Sequence, residues 1–299
     1  MLQQTIDGRN SVNYSVGGNQ INLHYHTLES SNPTPYPLSF NDAPIDLLSI
    51  HFAGRERELD NIKEALNIKH GSAPTRCAIH GMPGLGKTQL ALRFAKLTYD
   101  RGEHNQVFWI SATTIEKLNQ GFAKILDLVN HPDRSIPDQN TKLTTARRWL
   151  EESDSLGWLL ILDNVDRKTL RYLQEHLPRK NPLGNIVFTT RTEDVAKAVV
   201  SAAGQRHHTF ELQALDCHSA ANLLLQEAGW EICDVPPSVL SKAEDLVRYI
   251  ACLPLAVNQA ASFMQQAHKT LDDLLLLFHQ SEQKMEVCVV TRDLSLYRV

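Results

Sequence analysis

Three short stretches carry residue types and spacings that could do chemistry on a phosphate. Residues 81–88 read Gly-Met-Pro-Gly-Leu-Gly-Lys-Thr, the pattern G-x-x-x-x-G-K-(S/T). Glycines at 81, 84 and 86 let backbone N–H groups face an anion, and a helix starting here adds the positive end of its dipole. Lys87 would reach the β- and γ-phosphates of a nucleotide, and the Thr88 hydroxyl would hold Mg²⁺. The second stretch, Trp158 to Leu162, is an apolar run that ends on Asp163. A carboxylate at the end of a second buried strand is the partner a phosphate loop needs to position Mg²⁺. Thr88 and Asp163 are therefore the expected metal ligands. In the third stretch, Thr189-Thr190-Arg191 closes another apolar run. An arginine there can read a γ-phosphate through a forked pair of hydrogen bonds. Lys87, Asp163 and Arg191 are the expected catalytic set.

The residue after Asp163 is Asn164 rather than a second acid. An amide can orient a water but is a very poor base, so ATP hydrolysis is expected to be slow or absent. Asp166 stands where it could cap a helix or a turn.

These residues need elements to hold them. CAIH (77–80), VFWIS (107–111), WLLIL (158–162), NIVFTT (185–190) and HTFEL (208–212) are strand-length apolar segments separated by helical patterns. One such pattern carries Leu118, Phe122, Ile125, Leu126 and Val129 as a single stripe. Strands alternating with helices predict an α/β fold, a parallel sheet covered on both faces. The phosphate loop lies between CAIH and the helical TQLALRFAKL, as the motif requires. From about residue 213 the strand signals stop. Helical stripes around Ala220–Ala228, Leu240–Ile250, Pro254–Gln266 and Leu271–Phe278 predict a small all-helical domain. The Leu274–Leu277 run cannot face inward throughout on one helix.

The chain has 299 residues and a net charge of −4, with no basic run. That balance gives no case for nucleic-acid binding. Five irregularly spaced cysteines indicate neither a zinc site nor a disulfide framework. The apolar runs are too short for a membrane span, and a cytoplasmic location is expected. Only five charged residues fall in the first 50, and prolines at 33, 35, 37 and 44 break any helix there. Residues 27–50 thus read as a linker. Residues 12–26 alternate around Gly17-Gly18-Asn19-Gln20, a pattern of two short strands about a turn or else a polar tail.

Taken in order, these signals resemble the nucleotide-binding domain of NLR-type signalling ATPases, the NB-ARC group of P-loop NTPases. Phe52-Ala53-Gly54-Arg55-Glu56 resembles the short motif that precedes the phosphate loop in that family. The resemblance implies that backbone near Ala53 brackets an adenine and that Arg55 contributes to the pocket. It carries Gly81, Gly84, Gly86, Lys87, Thr88 and Gln89 over as phosphate-loop residues, and Arg191 as a sensor. Cys252-Leu253-Pro254-Leu255-Ala256 resembles the G-L-P-L-A motif, in which Pro254 would pack on the base. Cys252 stands where that motif usually has glycine. The stretches LLILDNVD and CLPLAVNQAASFM have a fungal flavour.

The implied ligands are ADP or ATP with Mg²⁺, and the implied behaviour is a nucleotide-controlled switch that self-associates when active. Some fungal members carry short Asn/Gly-rich motifs that template a β-fold in an effector protein, and residues 10–26 resemble these in style. The expected organisation is a tail and linker over 1–50 and a nucleotide-binding domain over 51–212. A helical domain over 213–280 and a remnant over 281–299 complete it. Relatives continue into a winged-helix domain and sensor repeats, so a truncated or minimal member is expected. Two other readings stay open, a turnover ATPase or small-molecule kinase, and a nucleotide-stabilised scaffold acting through the β-prone N-terminal segment.

Overall fold

The computed structural model describes residues 3–7, 11–16, 19–24, 39–52, 54–68, 71–153, 157–201 and 208–280. The chain forms two compact units, residues 1–38 and 39–299. In the first unit β1 (Gln3–Asp7), β2 (Ser11–Val16) and β3 (Asn19–His24) form an antiparallel sheet in that order. Val12 pairs with Leu23 and Tyr14 with Ile21, so the alternating apolar positions stand opposite one another. Val16 pairs with Asn19, which puts Asn19-Gln20 in strand rather than turn. The strand β1 has no counterpart in the sequence pattern, because Ile6 is the sole large apolar residue in Gln3–Asp7.

The second unit is built on a parallel six-stranded sheet. Its strands are β4 (Phe40–Asn41), β5 (Thr75–His80), β6 (Gln106–Ser111), β7 (Trp158–Val165), β8 (Asn185–Thr190) and β9 (His208–Glu211). Their spatial order is β4-β6-β7-β8-β5-β9, and every pairing is parallel. Both faces are covered, as the unbroken apolar runs require. Leu160, Leu162, Ile186 and Phe188 face one core with Leu118 and Phe122 of α3 (Ile115–Leu128). Leu159, Ile161 and Val187 face the other, with Leu90 and Phe94 of α2 (Lys87–Asp100). Trp158 is fully buried in the first core, whereas Trp109 lies half-buried at the edge of the second.

The sheet corrects the N-terminal boundary. Phe40 and Asn41 pair with Gln106 and Val107, and Ala43 is buried in the second core. Residues 39–50 therefore belong to the α/β unit rather than to a linker over 27–50. A two-residue strand is too short to show periodicity, and nearby prolines mask it.

The remaining helices are α1 (Glu56–Asn67), α4 (Gln139–Glu152), α5 (Arg167–His176), α6 (Glu193–Val200), α7 (Cys217–Glu227), α8 (Pro237–Tyr249), α9 (Pro254–Gln266) and α10 (271–280). The last four share a core of their own, built from residues such as Leu224, Leu246, Val257, Ala261 and Leu274. In the leucine run Leu274 is buried, while Leu276 and Leu277 face solvent. Residues 281–299, expected to be a C-terminal remnant, lie outside the described residues.

Candidate functional site

The three phosphate-related stretches meet at the carboxyl ends of β5, β7 and β8, the edge where parallel sheets place ligands. Because β8 lies between β5 and β7, Thr189 and Arg191 stand between the phosphate loop and Asp163. The loop itself joins β5 to α2. Gly84 and Gly86 have φ of +86° and +87°, a left-handed region that a Cβ disfavours. A Cβ on Gly84 would also lie 3.3 Å from Leu255 Cβ. Leu255 N donates to Gly84 O at 3.2 Å, so the start of α9 docks directly on the loop. Pro254 sits at the same place, with its Cγ 4.0 Å from where a Gly86 Cβ would be.

Lys87 Nζ donates to Gly81 O at 2.7 Å and Met82 O at 2.8 Å. Burial and then the charge of Arg191 hold the Lys87 ammonium below its ordinary lysine value, against the pull of Asp163. Two cations sharing one cleft are relieved by an anion. Asp163 Oδ1 accepts from Thr88 Oγ1 at 2.9 Å and from Thr189 Oγ1 at 2.6 Å. Asn164 N donates to Thr189 Oγ1 at 2.8 Å. A bulge between Leu162 and Val165, with Asn164 at φ +63°, turns this corner toward the loop. Thr190 Oγ1 donates to Val165 O at 2.7 Å across the bulge. Asp166 caps α5 through a capping box. Thr189 is thus a site residue in its own right, which its tripeptide alone did not distinguish.

On the other side of the cleft, two residues with ligand-like side chains are occupied with backbone. Arg55 is 5% exposed. It donates from Nη2 to Leu85 O at 3.1 Å and Gln213 O at 2.8 Å, and from Nη1 to Glu58 at 2.7 Å. It lines the pocket while clamping the loop to the segment before α7. Gln89 Oε1 accepts from Ser49 N at 2.8 Å, and its Nε2 donates to Leu47 O at 2.9 Å. It therefore holds residues 47–49 at the cleft wall. Ala53 lies outside the described residues. Its neighbour Phe52 lines the same hollow, with the Arg93 guanidinium 5.7 Å from its ring centroid.

A narrow hollow of about 60 Å³ between Phe52, Leu215, Leu223 and Pro254 adjoins a cleft of about 520 Å³ lined by Lys87, Thr88, Asn164, Thr189 and Arg191. The two share Ser49, Gly86, Gln89, Pro254 and Asn258. Asn258 is the residue that sequence reasoning missed. Its Oδ1 is buried and has no hydrogen-bond partner among the described residues, although buried acceptors are nearly always paired. One helical turn beyond Pro254, on a helix whose Val257 and Ala261 are core, a polar residue was the available signal. The orphaned acceptor, the paired cations and the glycine-lined loop together fit a nucleotide with a phosphate tail.

Among the described residues, no helix is long and apolar enough to cross a membrane. The chain is 30% identical over 247 residues to a nucleotide-binding leucine-rich repeat (NLR)-like protein of the fungus Hyaloscypha variabilis, spanning 77% of this chain and 24% of that one. It is 25% identical to a Solanum demissum protein named as a late blight resistance protein homolog, over 73% of this chain and 16% of that one. The chain thus spans a quarter or less of the length of these curated relatives. Among solved structures, Cdc6p from Pyrobaculum aerophilum shares the fold, with a TM-score of 0.53 at 16% identity over 72% of this chain and 63% of that one. The NB-ARC domain model matches residues 55–233, a span that includes the phosphate loop, Asp163 and Arg191, and the chain belongs to the NB-ARC family of nucleotide-binding domains.

Proposed function

We propose that this chain is the nucleotide-reading part of an NLR-type switch, binding ADP at rest and ATP with Mg²⁺ when active. The observation that carries this reading is the Leu255 N to Gly84 O hydrogen bond. Through it the helical region rests on the loop that would hold the phosphates. A ligand shifts a conformational balance only by its differential affinity for the two states. ADP and ATP differ by the γ-phosphate, which Lys87 and Arg191 would meet from two sides. Thr88 and Asp163 would hold Mg²⁺, which when bound supplies positive charge to the phosphate oxygens. Asn258 Oδ1 would accept a hydrogen bond from a donor of the nucleoside, with the adenine amine as the donor that guanine lacks at that position. Asn164 lines the cleft without a carboxylate, which supports slow hydrolysis. Self-association in the ATP form, in the cytoplasm, completes the reading.

The nucleotide content of purified protein, released by denaturation and resolved on anion exchange, tests it. Near-stoichiometric ADP is the expected result. Sustained turnover well above about one per minute would replace the switch with a turnover ATPase or a kinase. The antiparallel sheet of β1, β2 and β3 favours a compatible second role, a scaffold that assembles through the N-terminal unit. Deleting residues 1–38 should then abolish assembly while ADP binding is kept.

A further inference from the structure

Two cysteines outside the phosphate chemistry meet where the helical region begins, between the start of α7 and the turn before α9. Cys217 opens α7, just after the cap residue Asp216, and Cys252 ends the turn that leads into Pro254. Their sulfurs are 3.3 Å apart and both thiols are free. Leu215 N donates to Cys252 O at 3.2 Å, so backbone already ties the same two segments. Cys252 holds φ at +51°, a conformation that glycine bears more cheaply than any residue with a Cβ. We propose that Cys217 and Cys252 form a reversible disulfide, a redox-modification site that latches the turn carrying Pro254 against the base of α7.

The two thiols are unequal in a way that assigns their roles. Cys217 is partly exposed, and the Arg248 guanidinium lies beside it. Thiol oxidation needs a sulfur that the oxidant can reach, and Cys217 is the more exposed of the pair. Cys252 is only 7% exposed, and burial pushes its thiol up to about 11. Of the other described cysteines, Cys77 is buried in β5 with its thiol pushed up to about 12 by burial. Cys233 is exposed.

The oxidant is hydrogen peroxide. The Cys217 sulfur attacks one peroxide oxygen, an S–O bond forms, the O–O bond breaks, and the departing hydroxide takes a proton to become water. Sulfur is oxidised to a sulfenic acid as the peroxide is reduced. The Cys252 sulfur then attacks the Cys217 sulfur, an S–S bond forms and the S–O bond breaks. The second hydroxide leaves with the Cys252 proton as water. A dithiol reductant restores both thiols by exchange.

The functional consequence rests on the proposed nucleotide reading, because α7 contributes Leu223 and the turn contributes Pro254 to one hollow. Treating the full chain with hydrogen peroxide should remove two hydrogens from its mass and cross-link the peptides carrying Cys217 and Cys252. Dithiothreitol should reverse both changes. The melting temperature should rise by about 5 °C or more, and release of a fluorescent ADP should slow. C217S and C252S should each abolish the cross-link. C252G should do so while leaving the reduced protein at least as stable, since it also removes the left-handed Cβ.

Sulfinic acid on Cys217 with Cys252 still free, or a bond to any other cysteine, would overturn the pairing. A Cys217–Cys252 bond that leaves melting unchanged would overturn the latch. Cross-linking and melting need no nucleotide. A chain that cross-links and is stabilised yet binds no ADP therefore counts against the nucleotide reading and supports the pair.

Discussion

The two sides of the cleft are prepared in different ways. On the phosphate side the polar groups are bonded to each other: Asp163 to Thr88 and Thr189, and Lys87 to the carbonyls of Gly81 and Met82. These bonds hold the loop, β7 and β8 in one arrangement, and on the proposed reading a phosphate tail would exchange partners within a network already built. On the base side Arg55 and Gln89 are committed to backbone, and Asn258 Oδ1 is left unanswered among the described residues. On the proposed reading, the phosphate side would draw its affinity from the charges of Lys87 and Arg191. The base side holds a buried acceptor whose desolvation is recovered only when a ligand donor arrives.

The sharpest break of that comparison is Lys87→Ala. It removes the cation that the loop supplies and should weaken ADP and ATP by about 100-fold, read by calorimetric titration. The pH response refines it. Since Lys87 is held below its ordinary lysine value, its charge is lost earlier as pH rises than a free lysine's would be. Nucleotide affinity should therefore fall at alkaline pH in the wild type but hold in Lys87→Arg, whose guanidinium stays charged. Equal slopes for the two proteins would take Lys87 out of the binding step.

Asp163→Asn comes next. The amide oxygen can still accept from Thr88 and Thr189, so the junction should survive, but the charge for a divalent cation is gone. Affinity for ATP with Mg²⁺ should drop by about 10–100-fold, while ADP without Mg²⁺ changes far less. Titrating both ligands against the same preparation checks this, and equal losses would point to a collapsed junction instead.

Legibility follows the same division. The phosphate loop, the apolar strands and Asp163 all lie within contiguous stretches, where spacing alone states the chemistry. An apolar run identifies a strand but not its neighbour, so the insertion of β8 between β5 and β7, which brings Thr189 to Asp163, needed the structure. Short or polar elements escaped for their own reasons. Strand β4 spans two residues, and α4 fully buries only Leu143, Ala146 and Leu150, with Trp149 packed beside them, in a segment that is otherwise polar. On the base side the partners are remote in sequence: Arg55 bonds Gln213 and Gln89 bonds Leu47. A side-chain type that suits a ligand equally suits a distant carbonyl, and sequence offers no way to choose.

Asn258→Leu gives the smallest effect and separates the two sides most cleanly, because it should move stability and binding in opposite directions. Leucine has the same branched skeleton as asparagine and leaves no buried acceptor. Without ligand the variant should be more stable by about 1 kcal/mol in denaturant unfolding, the desolvation cost of an unpaired polar group. With ligand it loses one neutral hydrogen bond, so ADP should bind about 3–10-fold more weakly, and the preference for ADP over GDP should shrink by a similar factor. Lys87→Ala, by contrast, should weaken ADP and GDP alike, since their phosphates are the same. A variant that loses stability and keeps its preference for adenine would show that Asn258 serves the packing of α9 and not the base.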